Sequence, residues 1–179
     1  MQRESGSIRR AGMGMMLLFW VAFIGLGSWW FHGYLETQRN PNAHLVNAVA
    51  GTAGPIVLER NRAGHFLATG RINGEPVEFL LDTGATYVAV SAGLAERLAL
   101  ERAGSAWFNT ANGRVRGDLT WLEEVSLGGF AASDVRGSIS PGLEGDVALL
   151  GMSFLNRFDI EIRDARMVLR PAQQPQGGE

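Results

Sequence analysis

Asp82 is the residue on which chemistry can be built. It stands in the stretch Phe79-Leu80-Leu81-Asp82-Thr83-Gly84-Ala85-Thr86, where three apolar residues read as a buried strand and the chain then turns at once through Thr-Gly. A carboxylate at the end of such a strand is positioned rather than merely solvated. The glycine lets the backbone pass close by and lets loop N–H groups point at the carboxylate oxygens. That geometry suits a catalytic acid. Asp-Thr-Gly alone is also ordinary turn chemistry, but a surface turn does not usually follow Phe-Leu-Leu and precede Tyr87-Val88-Ala89-Val90. The turn is therefore expected between two buried segments.

Composition removes most rival chemistries. At 179 residues and 46% apolar content the chain holds one ordinary domain plus an extra segment, enough for a core. A net charge of −2 with scattered basic residues leaves no electrostatic footprint for nucleic acid. There is no cysteine, hence no thiol nucleophile, disulfide or cysteine-ligated metal. All 16 basic residues are arginine and none is lysine, which excludes P-loop phosphate binding, Schiff bases and Ser-Lys dyads. The histidines, His32, His44 and His65, all precede the Asp82 stretch, and only His65 falls in a strand-like segment, so a Ser-His-Asp triad has little support. Carboxylates remain as the chemistry, and no cofactor or metal is called for.

The elements that must hold Asp82 are short strands separated by glycine turns. Ile56-Val57-Leu58 begins them, and His65 to Ile72 joins Val77 to Leu81 through Asn73-Gly74, the dipeptide preferred in tight hairpins. After Tyr87 to Val90, Ser91 is placed to cap a short helix over Ala92 to Leu100. Asn112-Gly113 signals a second hairpin, and Leu119 to Leu127 and Phe130 to Ile139 flank Gly128-Gly129. Val147 to Leu150 is a further apolar strand that meets Gly151 and a short helix, and a hairpin from Asp159 to Leu169 closes the domain. The fold class is all-β, a small closed or partly closed barrel with one or two short helices, over residues 56–170.

Outside that domain lie four segments. Residues 1–10 carry Arg3, Arg9 and Arg10, and residues 11–31 hold no charge. As a helix the latter is about 30 Å long, the thickness of a bilayer's hydrocarbon core, with Trp29, Trp30 and Tyr34 at the far interface. The arginines place the N-terminus in the cytoplasm and the domain outside, which in a bacterium is the periplasmic side of the inner membrane. A cleaved signal peptide competes with this reading, but Trp29-Trp30-Phe31-His32 is bulky where cleavage would fall. Residues 32–55 read as a tether, with a short helix over Ala43 to Ala50, and residues 171–179 as a disordered polar tail.

Leu80-Leu81-Asp82-Thr83-Gly84-Ala85 resembles the active-site signature of the retropepsin-like aspartic proteases, and Leu149-Leu150-Gly151 resembles their second apolar-apolar-glycine element. The order of elements matches over roughly Ile56 to Arg170, most closely the membrane-anchored bacterial branch. The resemblance implies hydrolysis of peptide or protein substrates at a two-aspartate site. This chain supplies one such aspartate, because Asp118, Asp134, Asp146, Asp159 and Asp164 lack the Thr/Ser-Gly continuation. One carboxyl cannot be both the base that activates water and the acid that protonates the carbonyl. A homodimer bringing two copies of Asp82 to a two-fold axis is therefore expected. The same resemblance assigns active-site support to Thr83, Gly84, Ala85, Leu149, Leu150 and Gly151, and a substrate flap to the hairpin at Asn112 and Gly113.

Two other readings compete. A binding module of the same β-fold would capture extended peptides or a partner without turnover. A phosphoryl-accepting aspartate would want long helices between strands and a charge-balancing lysine, and the chain offers neither.

Overall fold

The computed structural model describes residues 4–48, 51, 54–110 and 113–172. The expectation of a disordered tail falls largely on residues 173–179, outside the described ones. The chain divides into two compact units, Met1–Gln38 and Arg39–Glu179.

The first unit holds helix α1, Glu4–Arg39, whose last residue is counted with the second unit. Its stretch Gly12–Arg39 is long and apolar enough to cross a membrane. The helix outruns the apolar segment at both ends, so residues 32–39, read from sequence as the start of a tether, are helical. Leu35, Glu36, Gln38 and Arg39 are good helix formers, and the Thr37 hydroxyl donates back to the Gly33 carbonyl at 3.0 Å. Pro41 disfavours a helical conformation at Asn40, and the helix stops there.

The second unit is mostly β. After a 3₁₀ turn at Ala43–Asn47 come β1 Ile56–Glu59, β2 Leu67–Ile72, β3 Glu75–Leu81, β4 Val88–Val90, helix α2 Ala92–Arg97, β5 Ser105–Thr110, β6 Gly113–Leu127, β7 Phe130–Ile139, β8 Val147–Leu150, helix α3 Met152–Leu155, β9 Phe158–Arg163 and β10 Arg166–Pro171. The strand order β2-β3-β8-β4-β7-β6 is closed by pairing of β6 back onto β2, with β5 added along the first half of β6. A separate sheet runs β1-β10-β9.

Local sequence accounts for the tight corners. Asn73 (φ 50°) and Gly74 (φ 83°) both occupy the left-handed region, as a two-residue turn matched to strand twist requires. Closure depends on a close approach: a side chain on Gly70 would overlap the Ser126 carbonyl oxygen. Ser91 caps α2, its hydroxyl accepting the Leu94 N–H at 3.1 Å. Within the barrel Phe79, Ile72, Leu122, Leu127, Leu150 and Phe154 are fully buried, each stabilising the fold by about 1.5–3 kcal/mol through area removed from water. Phe130, Phe154 and Phe158 pack as a cluster with centroids 4.5–5.8 Å apart.

Candidate active site

Asp82 leaves β3 where that strand runs parallel to β8, with Leu80 opposite Leu149 and Leu81 opposite Leu150. The two apolar motifs singled out in the sequence, 69 positions apart in the chain, are thus neighbours in one sheet. Its own N–H donates to the Leu150 carbonyl at 3.2 Å, which carries the ladder one residue past the strand. The side chain is set by the turn: Asp82 Oδ1 accepts the Gly84 N–H at 2.9 Å, and the Ala85 N–H returns to the Asp82 carbonyl at 3.2 Å. Asp82 is half-buried while Thr83 and Gly84 are exposed. The carboxylate is therefore oriented by the Gly84 N–H and presented on an open loop.

Gly151 and α3 fix the loop from the other side. The Met152 N–H donates to the Ala85 carbonyl at 2.8 Å and the Ser153 N–H to the Thr86 carbonyl at 2.8 Å. Gly151 is pressed so closely on this segment that a Cβ there would overlap the Tyr87 carbonyl oxygen and lie 2.7 Å from that of Ala85. Glycine is required at this position by space rather than by torsion.

The hairpin β5–β6 rises beside this loop, with Thr110 paired to Gly113 and Gly113 at φ 107°. Asn112 lies outside the described residues. The hairpin touches the site segment through Phe108, whose ring meets Tyr87 edge-on at 6.1 Å. Among the described residues no group of three or more His, Cys, Asp or Glu side chains converges as a metal site would need.

Sequence reasoning missed two residues here. Tyr87 reads simply as the start of a strand, yet it carries both the carbonyl against Gly151 and the ring against Phe108. Ser153 reads as a polar position in a short helix; its hydroxyl accepts the Val88 N–H at 3.0 Å and donates to the Arg136 carbonyl at 2.7 Å. It ties α3 to β4 and β7. A serine two residues after a glycine carries no sequence signal for this.

Comparison with known proteins bears on the same elements. Residues 68–157 match the family model described as "gag-polyprotein putative aspartyl protease". The crystal structure of a retropepsin-like aspartic protease from Rickettsia conorii is 31% identical, with a TM-score of 0.55 over 65% of this chain and 89% of that one. This chain belongs to the retropepsin-like aspartic protease family. Its retropepsin-like domain also resembles two uncharacterized bacterial proteins. One, encoded in the cobV 5' region of a Sinorhizobium species, is 31% identical over 64% of this chain and 51% of its own length. The other, from Rickettsia prowazekii (strain Madrid E), is 31% identical over 59% and 46%. The chain spans about half the length of these relatives. The family match begins at Ala68 in β2 and ends at Arg157 after α3, so it takes in the Asp82 loop, the β5–β6 hairpin and the Leu149-Leu150-Gly151 corner of this retropepsin-like chain.

Proposed function

We propose that this chain is an aspartic endopeptidase that hydrolyses peptide bonds with a water held between Asp82 and the Asp82 of a second copy. The reading rests on one observation: the chain carries a single Asp-Thr-Gly, and its carboxylate is oriented by the Gly84 N–H on an exposed loop. Two carboxyls about 3 Å apart share one proton because both cannot ionise together. The ionised member takes a proton from water as the water oxygen bonds to the substrate carbonyl carbon. The protonated member gives its proton to the carbonyl oxygen, forming a tetrahedral diol. Collapse of the diol breaks the C–N bond: the leaving amine takes up the proton drawn from water, and a diol hydroxyl returns its proton to the carboxylate that gave one, leaving the product acid and the starting dyad.

In this reading Thr83 braces the pair across the two-fold axis, and Gly84 keeps the approach open. The Leu149-Leu150-Gly151 corner and Ala85 hold the loop, and the hairpin at Asn112 and Gly113 closes over an extended substrate. Helix α1 serves as a single-pass anchor in a bacterial inner membrane with the catalytic domain on the periplasmic side, following the basic N-terminus. Anchoring two copies in one membrane raises their effective concentration and so favours the dimer.

The test uses the full chain in detergent micelles with a peptide library from acid to neutral pH, beside Asp82→Asn and a statine-type transition-state mimic. Cleavage by the wild-type chain, its loss in D82N with peptide binding retained, and inhibition by the mimic are expected. Cleavage that survives in D82N, or peptide capture without any turnover in the wild type, contradicts the reading.

A further inference from the structure

Residues 39–47, which follow the apolar part of α1, are built into the domain. Asn40 and Asn42 are only 5% and 1% exposed, and a buried amide must find partners for all its polar atoms. Asn42 finds them on two strands: its Nδ2 donates to the Glu59 carbonyl at 2.8 Å and the Leu67 carbonyl at 2.6 Å, and its Oδ1 accepts the Glu59 N–H at 2.8 Å. One side chain thereby joins the end of β1 to the start of β2. Asn40 reaches the next strand, its Nδ2 donating to Thr69 Oγ1 at 3.1 Å and Glu78 Oε1 at 2.9 Å while its Oδ1 accepts the Asn42 N–H at 3.1 Å. Arg39 pairs with the other Glu78 oxygen at 2.5 Å, and Asn61 Nδ2 donates to the Arg39 carbonyl at 3.0 Å.

This segment occupies the short seam that closes the barrel. β2 and β6 pair at Arg71–Ser126 and Ile72–Val125, and toward Leu67 that edge of β2 has no strand partner among the described residues. An open edge leaves backbone groups that must be paired or covered. Asn42 lies in parallel register with Ala68 at this point, so the segment covers the edge of β2 where β6 departs. Beneath it a cavity of 160 Å³ is lined by Leu45, Val46, Gly70 and Ser126 among others, which marks where the strands part.

β2 is also what β3 leans on. Leu67 is paired with Leu80, and the Leu81 N–H donates to the Phe66 carbonyl at 3.0 Å, one residue before Asp82. We propose that residues 39–47 form a strap of the catalytic domain, in which Asn42 and Asn40 are positioning residues for Asp82: by sealing the seam they hold β2, and through β2 the end of β3. The membrane-proximal segment is then part of the working enzyme. This rests on the reading of Asp82 as catalytic, but its structural half can be tested without turnover.

The experiment compares the full chain in micelles with Asn42→Asp, which keeps size and shape but turns the double donor into an oxygen facing two carbonyls, and with the milder Asn40→Ala. Amide hydrogen exchange is followed at Leu81, Asp82 and Gly84, with Leu98 at the end of α2 as the internal control, and peptide cleavage is resolved into kcat and KM. In N42D, exchange at Leu81 and Asp82 is expected to speed up by about tenfold or more relative to Leu98, with kcat reduced and KM little changed. N40A is expected to show the same pattern at smaller size, and it decides the matter if N42D does not fold. Exchange that rises equally at Leu98, or changes confined to residues 39–48 with Asp82 and kcat untouched, overturns the proposal. A wild type that cleaves no peptide removes the protease reading, and the exchange pattern still decides whether the strap holds the Asp82 strand.

Discussion

The Met152 N–H donates to the Ala85 carbonyl oxygen at 2.8 Å, tying the first residue of α3 to the loop that presents Asp82. With Gly151 packed beneath it, this bond makes the β8–α3 corner the floor of the site. A Cβ at position 151 has nowhere to go, because the atoms it meets are the backbone carbonyls of Tyr87 and Ala85 and not the ends of flexible side chains. Gly151→Ala is expected to destabilise the domain by ~1–3 kcal/mol through overpacking and to depress cleavage beyond the loss of folded protein, since the displaced backbone belongs to the Asp82 loop. Denaturant midpoints and cleavage rates on the same preparations check this. Unchanged values for both contradict it.

Ser153 offers a second handle on the same corner. Its hydroxyl joins Val88 to Arg136, and removing it leaves an N–H and a carbonyl short of a partner. Ser153→Ala is expected to cost ~1–2 kcal/mol, the usual penalty for unmaking such bonds at a partly buried site. Equilibrium urea unfolding reads the loss as a lower midpoint with an unchanged slope.

How far these relationships were legible beforehand depends on whether the cause was local. Asn73-Gly74 announced its hairpin because the turn demands positive φ at both residues. Ser91 announced α2 because only a few side chains cap a helix start. The Asp82 stretch and Leu149-Leu150-Gly151 were each visible, but an apolar run does not name its neighbour. The parallel pairing of β3 with β8, which makes one site of the two motifs, is a non-local fact carried by the sequence only through family likeness. The end of α1 was misplaced for a related reason: hydropathy marks where a chain stops being apolar, whereas Arg39 marks where it stops being helical. Asn42 fell within the stretch read as a tether because burial of an asparagine is decided by partners elsewhere, here Glu59 and Leu67.

Stability in acid should carry the signature of Glu161. A hydrogen bond from Arg170 at 2.7 Å, and then the charge of Arg163 at 2.5 Å, hold this carboxyl below its ordinary range. A group whose pKa is lower folded than unfolded stabilises the fold above its unfolded value, and that contribution is lost as pH falls through the folded one. Glu161→Gln should therefore melt below the wild type at neutral pH by a small margin, as befits a surface pair, and the gap should close in acid. Melting curves of both chains across that range test the sign. A gap that widens toward low pH contradicts the assignment.

The central claim is that two copies of Asp82 make one active site, and subunit mixing tests it most directly. Wild-type and Asp82→Asn chains are co-expressed at varied ratios with total protein held constant, and specific cleavage activity is plotted against the wild-type fraction. If each site needs both carboxyls, activity follows the square of that fraction, so an equal mixture keeps roughly a quarter. A straight line, with about half the activity at an equal mixture, would mean that each chain works alone and would contradict the shared dyad.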